Sequence, residues 1–243
     1  MGPSVIAYHG LPIIPDAAAV KVLAGRHAFV SFAHPEQLEL AAAVASTFAL
    51  DNGAFVLWRA GKARAEWRDY YAWVDDASRR PGFDFAIIPD SVEGGEHEND
   101  RLITEWESMF NFPQVVGVPV WHLHEGIERL CRLVERYPRV ALGSSGQYKQ
   151  PGSAEWWARV EEFMPQICDA DGYPRARLHG LRMLSSRLTS VLPLASADST
   201  NIGRNIGIDA HWRGTYQPPD KIWRALVLAA RIEAGHTPTK WEM

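Results

Sequence analysis

The feature that most constrains this chain is an alternation repeated eight times: a short apolar run, a polar or glycine-containing cluster, then a stretch with helical periodicity. The apolar runs fall at residues 5–8, 27–32, 47–50, 83–89, 115–121, 140–142, 176–183 and 194–197. The run at 115–121 is unbroken, as expected of a strand covered on both faces. Between the runs, Leu38, Ala41, Ala42 and Ala45 share one helical face, and Leu102, Ile103, Trp106, Met109 and Phe110 share another. Ile127, Leu130, Cys131, Val134 and Tyr137 repeat the pattern, as do Trp156, Trp157, Val160, Phe163, Met164 and Ile167. A period of 3.6 residues between extended apolar runs predicts helices packed against a parallel sheet. Eight units predict an α/β chain forming a single (β/α)₈ TIM-type barrel, one domain over residues 1–243. Residues 15–23, about 65–77 and 220–234 read as further helices, and 58–61 as an excursion.

The polar clusters all follow the runs, where such a barrel carries its chemistry. They read His9-Gly10, Ala33-His34-Pro35, D-N-G-A-F from Asp51, Asp90-Ser91, H-L-H-E-G from His122, G-S-S-G from Gly143, and A-D-S-T-N-I-G-R-N around Asp198. Two aspartates, Asp51 and Asp198, stand at the ends of the third and eighth runs, close across the mouth of a closed barrel. Paired carboxylates there divide labour between nucleophile and general acid/base, as in enzymes that cleave glycosidic bonds. The structural alternatives are an Asx-turn at Asp51-Asn52-Gly53 and a capped turn at Asp198.

Composition limits the remaining options. Hydrophobic residues make up 47% of the 243 and charged residues 22%, ordinary for a globular core. A net charge of −4 gives no overall basic excess, so any contact with a polyanion rests on a local patch. Two cysteines supply neither a disulfide framework nor a multi-cysteine zinc site, and Cys131 sits on a core stripe. The first residues lack a signal-peptide pattern and no stretch is long and apolar enough for a bilayer, so a cytoplasmic protein without membrane contact is the expectation. No phosphate-binding G-x-x-x-x-G-K motif is present.

Five of the clusters, in order, resemble segments of the tRNA-guanine transglycosylases. D-N-G-A-F resembles the segment carrying that family's acid/base aspartate, and F-A-I-I-P-D-S the one whose aspartate hydrogen-bonds the base. L-H-E-G, residues 123–126, stands where the family has a base-binding glutamine, and A-L-G-S-S-G resembles its glycine-rich base-contacting segment. A-D-S-T-N-I-G-R-N falls at the nucleophilic aspartate. The likeness covers about residues 47–205. The family's three-cysteine-and-histidine zinc site is missing, His124 replaces the glutamine, and the chain is short. In these respects it resembles the small zinc-free bacteriophage enzymes that place 7-deazaguanine bases in DNA.

The resemblance implies that Asp198 attacks C1′ and Asp51 moves protons. It implies that Asp90, Ser91, His122, His124, Gly143, Ser144, Ser145, Asn52 and Gly53 bind the base, and that Asn201, Arg204, Lys149 and Arg182 meet DNA. The partners implied are DNA, single- or double-stranded, and a free base such as preQ0, with no metal and no cofactor, in the cytoplasm of a phage-infected bacterium. Alternatives are the tRNA enzyme itself, a barrel metallohydrolase using strand-end histidines such as His122, His124, His9, His34 and His179 with Asp198, and a catalytically dead DNA-binding barrel. The H-x-H pair follows the fifth run, whereas amidohydrolases carry it on the first, and a metal-binding lysine on a middle strand is missing. His9, His34 and His179 read as structural histidines.

Overall fold

In the computed structural model, residues 5–62, 64, 66–110, 117–207 and 212–242 are described. Nine strand segments form one all-parallel sheet: β1 (Ile6–Gly10), β2 (His27–Ser31), β3 (Thr47–Asp51), β4 (Phe83–Ile87), β5 (Gly117–Val118), β6 (Val120–His122), β7 (Arg139–Gly143), β8 (Arg177–Gly180) and β9 (Ser196–Ser199). Their order is β5-β4-β3-β2-β1-β9-β8-β7-β6. The two ends of that order are neighbours in sequence, separated by Pro119 alone. β5 pairs with β4 through Ala86 and Ile87, and β6 pairs with β7 through Ala141, Leu142 and Gly143. Residues 117–122 therefore act as the expected fifth strand and bring the sheet's edges together. Proline has no N–H to give a ladder, but the Pro119 carbonyl still accepts from Ala141 N at 2.9 Å. The expected start of this strand at residues 115 and 116 lies outside the described residues.

The helices follow the strands: α1 (Asp16–Leu23), α2 (Leu38–Val44), α3 (Ala54–Arg59), α4 (Arg68–Ser78), α5 (Glu96–Met109), α6 (Ile127–Arg136), α7 (Ala154–Ile167), α8 (Ser186–Thr189), α9 (Asn201–Asn205) and α10 (Lys221–Glu233). Ser153 and Asp220 cap α7 and α10 by accepting from Trp156 N and Trp223 N. Two departures from the sequence reading matter for the site. The excursion expected at 58–61 is a helix that begins earlier, at Ala54, so Phe55 and Arg59 join the strand-end face. The last strand runs later than residues 194–197, so Asp198 lies inside β9, in register with Tyr8 of β1. The helix expected from about residue 65 begins at Arg68, and residue 65 lies outside the described set.

Strand alternation divides the core in two. Ala28, Val30, Leu50, Ala86, Val140 and Leu142 belong to the large cluster between sheet and helices. Tyr8, Phe29, Ala49, Phe85, Ile87, Val118, Val120 and Ala141 fill the barrel interior. Bulky rings opposite alanines fill such a barrel as a packed core rather than a pore. Two residues further along the strands, at Ser31, Asp51 and His122, the inward side chains become polar. No helix among the described residues is long and apolar enough to cross a membrane.

Candidate active site

The polar layer opens into a cavity of about 480 Å³ at the C-terminal ends of the strands, within the size range of small-molecule sites. Asp51, Asp90 and Asp198 all line it, with Ser31, Asn52, Phe55, His122 and Arg182 among the walls. Three strand-end carboxylates thus share one chamber.

Asp51 is the last residue of β3, and its Oδ2 accepts from Ser31 Oγ at 2.8 Å. Ser31 occupies the matching last position of β2, in register with Asp51. Burial pushes the Asp51 carboxyl up to about 7, helped by the negative charges of Asp198 and Asp90 and opposed by the Ser31 and Gly53 hydrogen bonds. The chain turns sharply after it. Gly53 has φ +75°, and a Cβ there would lie 2.9 Å from Ala33 N, so glycine alone fits both the dihedral and the space. Gly53 therefore shapes the turn and is absent from the cavity wall.

Asp90 follows β4 and is held from both sides. Asn52 Nδ2 donates to Oδ1 at 2.7 Å, and His122 Nε2 lies 2.8 Å from Oδ2. Asn52 is fixed in turn by the Ile88 carbonyl and by Ala54 N. Gly143 makes room for the His122 ring, since a Cβ there would come within 2.9 Å of Nδ1. A carboxylate has about four acceptor positions, so Asp90 keeps capacity for an incoming donor.

Asp198 sits inside β9, 4% exposed. Its Oδ1 accepts from Arg182 N at 2.8 Å, and His179 Nε2 stands 3.5 Å from the same oxygen. Arg182 has φ +57°, the left-handed region, uncommon for a non-glycine residue. Its guanidinium lies 3.6 Å over the Phe55 ring and donates to the Ser144 carbonyl. Burial lowers the Arg182 guanidinium from its ordinary value, while Asp198, Asp51 and Asp90 act in the opposite sense. Arg59 and Arg204 complete the basic side of the wall.

Several residues expected at the site lie elsewhere. Ser91 faces an adjacent cavity of about 230 Å³ that also reaches Asp90 and Val92. His124 is exposed, and its Nδ1 meets the Oγ of buried Ser145 at 2.6 Å. The strand ends at His122 and a turn begins at Leu123, which carries His124 off the inward face. Asn201 accepts from Asn205 Nδ2 within α9, and Lys149 is exposed beyond the loop after β7; neither lines the cavity. His122, Gly143, Ser144, Asn52, Arg182 and Arg204 do.

The H-x-H pair does not converge. The two rings stack 5.6 Å apart, but His122 turns to Asp90 and His124 to Ser145. Among the described residues, no group of three or more His, Cys, Asp or Glu side chains is disposed to hold a metal ion. His9 bonds Glu233 on the outer side of β1, and His34 lies at the cavity wall.

Sequence reasoning also missed the frame behind His122. Glu125 is 3% exposed and accepts from His122 N, Asn99 Nδ2 and Arg129 Nη1. Arg129, 1% exposed, extends the network to Asp100 and the Val120 carbonyl, and Asn99 accepts from Ser91 N. The only sequence signal was the i,i+4 spacing of Glu125 and Arg129.

No family model matches the chain, and no curated protein matches it in sequence. Solved structures do. A chain of the tryptophan synthase α2β2 complex from the hyperthermophile Pyrococcus furiosus aligns over 96% of this chain and 97% of its own, with TM-score 0.51 and 11% identity. The chain has the TIM-barrel fold. Tryptophan synthase from M. tuberculosis aligns over 98% of this chain and 94% of its own, at TM-score 0.49 and 12% identity. N-acetylneuraminate lyase from Mycoplasma synoviae aligns over 93% and 77%, at 0.46 and 10%. At such identities the likeness is one of fold.

Proposed function

We propose that the cavity is the active site of an enzyme that exchanges guanine in DNA for a free 7-deazaguanine base such as preQ0, leaving the strand intact. The observation that carries this reading is the unequal pair of carboxylates in one chamber. Asp51, pushed up to about 7, holds a transferable proton near neutrality, while Asp198 is aimed from a rigid strand with one oxygen tied to Arg182 N. Titratable groups with different surroundings are how a site divides acid/base and nucleophilic work.

In the first displacement Asp198 forms a bond to C1′ as the bond to guanine N9 breaks, and Asp51 gives its proton to the departing base. In the second, Asp51 takes the N9 proton of the incoming base, whose nitrogen attacks C1′ and returns the electron pair to Asp198. Two inversions restore the original configuration. Asp90, steadied by Asn52 and His122, accepts from the donor edge of the base. Arg182, stacked on Phe55, and Arg204 offer positive charge to the nucleotide's phosphates. The target nucleotide must leave the duplex to reach this depth.

Incubation of the protein with DNA oligonucleotides and free preQ0 or related bases, followed by mass spectrometry of the nucleosides, tests the reading. The expected result is a deazaguanine nucleoside in the digest with an equal amount of released guanine. Unaltered DNA across all bases overturns it, and exchange confined to tRNA moves the substrate to RNA.

A further inference from the structure

One buried titratable side chain in the barrel has no part in the steps above. His179 projects from β8 into the interior, fully buried, with its ring 5.9, 5.5 and 5.2 Å from those of Tyr8, Phe29 and Phe85. Its Nδ1 lies 2.8 Å from Ser196 Oγ. Its Nε2 is buried without a hydrogen-bond partner and faces Asp198 Oδ1 at 3.5 Å. A ring nitrogen left unpaired in such a setting is costly, and three aromatic neighbours hold it on this line. The Arg182 backbone N–H reaches the same Oδ1, and among the described residues no hydrogen bond reaches Oδ2.

We propose that His179 is a positioning residue for Asp198: Ser196 fixes the ring through Nδ1, and the Nε2–H joins the Arg182 N–H in serving Oδ1, leaving Oδ2 as the attacking atom. This rests on the reading of Asp198 as nucleophile. When the Oδ2–C1′ bond forms, Oδ1 becomes an ester carbonyl and the carboxylate's charge is neutralised. When the incoming nitrogen displaces Oδ2, the electron pair returns to the carboxylate, and donors already aimed at Oδ1 stabilise that charge as it reappears. The two donors therefore act mainly on release of the sugar rather than on its capture.

Two measurements decide it. Long-range ¹H–¹⁵N spectra of the histidine rings read the protonation site without reference to any substrate. A proton on His179 Nε2 is expected, and a neutral ring protonated at Nδ1 overturns the proposal whatever the protein's activity. Single-turnover kinetics with an oligonucleotide then compare His179→Phe, which keeps the ring volume, with His179→Gln, whose amide N–H falls near the Nε2 position. Adduct formation is expected to change little in His179→Phe while release slows about 100-fold, the loss typical of one such donor, so that adduct accumulates. His179→Gln is expected to restore release to within about tenfold. Equal loss of formation and release in both variants overturns the proposal. Absence of adduct and exchange in the wild type instead refutes the proposed function, and the ring spectra still decide whether His179 donates to Asp198.

Discussion

Asp51→Asn should make the protein more stable and inactive at once. A carboxyl moved from an ordinary 3.8 to about 7 loses roughly 4 kcal/mol at ~1.4 kcal/mol per pH unit. The sign follows from proton counting. Between pH 4 and 7 the unfolded chain has released this proton while the folded one keeps it, so stability falls as pH rises and the penalty is complete above 7. Asp51 is partly open to cavity water, which reduces the figure to about 2–4 kcal/mol. Asparagine still accepts from Ser31 Oγ but cannot ionise. Urea unfolding should therefore show Asp51→Asn ahead of wild type by about 2–4 kcal/mol at pH 8 and by only about 1 kcal/mol at pH 5. Base exchange should vanish in the variant, and wild-type exchange should decline above pH 7 as the proton is lost. A stability difference that is absent, or equal at the two pH values, refutes the argument that Asp51 is held protonated by burial.

The remaining predictions concern the other walls of the chamber. Asp198→Asn should retain fold and DNA binding yet give neither exchange nor a denaturant-resistant protein–DNA adduct; exchange near the wild-type rate removes Asp198 as nucleophile. Asp90→Ala should weaken binding of the free base by about 2–4 kcal/mol, as for loss of a buried charge-assisted contact, read by calorimetry with guanine and the deazaguanine. Gly143→Ala should cost about 1–3 kcal/mol in unfolding experiments, because the new methyl meets His122 Nδ1, and base affinity should fall with it. Glu125→Ala should destabilise by about 3–5 kcal/mol, since His122 N, Asn99 Nδ2 and Arg129 Nη1 all lose this buried acceptor at about 1–3 kcal/mol each, although Arg129 keeps Asp100; a loss under about 1 kcal/mol means that the network is not structural.

The barrel was legible because burial on both faces writes itself as apolar runs, and because helices between them show their own period. Which residues would meet was less so. Asp51, Asp90 and Asp198 share a chamber because each lies at, beside or just beyond the C-terminal end of a strand, and strand ends are readable. The resemblance puts His124 in the chamber, in place of a base-binding glutamine, but a turn at Leu123 ends the strand and carries it off the inward face. Ser31 went unread because a serine at a strand end looks like any loop serine until register sets it beside Asp51. Phe55 and Arg59 were hidden because the turn at Asp51-Asn52-Gly53 is legible, but not that a helix starts directly after it at Ala54. There Asn52 Oδ1 accepts from Ala54 N while its amide is held by Ile88 and Asp90. Glu125, Arg129 and Asn99 form their network across α5, α6 and the strand ends, and no local pattern encodes such convergence.

Arg182 shows why the chamber tolerates strain. Glycine would relieve the left-handed backbone at no steric cost, yet an arginine stands there. With glycine, the N–H to Asp198 survives but the guanidinium on Phe55 and Ser144 is lost. The side chain spans from β8 to α3 and β7, and so couples the orientation of Asp198 to the shape of the cavity wall. Its charge also matters. Asp198 and Asp90 raise the cost of charging Asp51, and a guanidinium at the cavity wall with no paired carboxylate among the described residues offsets that repulsion without neutralising any one of them. In the proposed mechanism a fixed ion pair would tie up the reacting carboxylate, whereas a guanidinium held by a ring and a carbonyl favours the charge on all three and pairs with none. Strain held in place by surrounding contacts is characteristic of functional positions, and here the contacts that hold it are the ones that build the site.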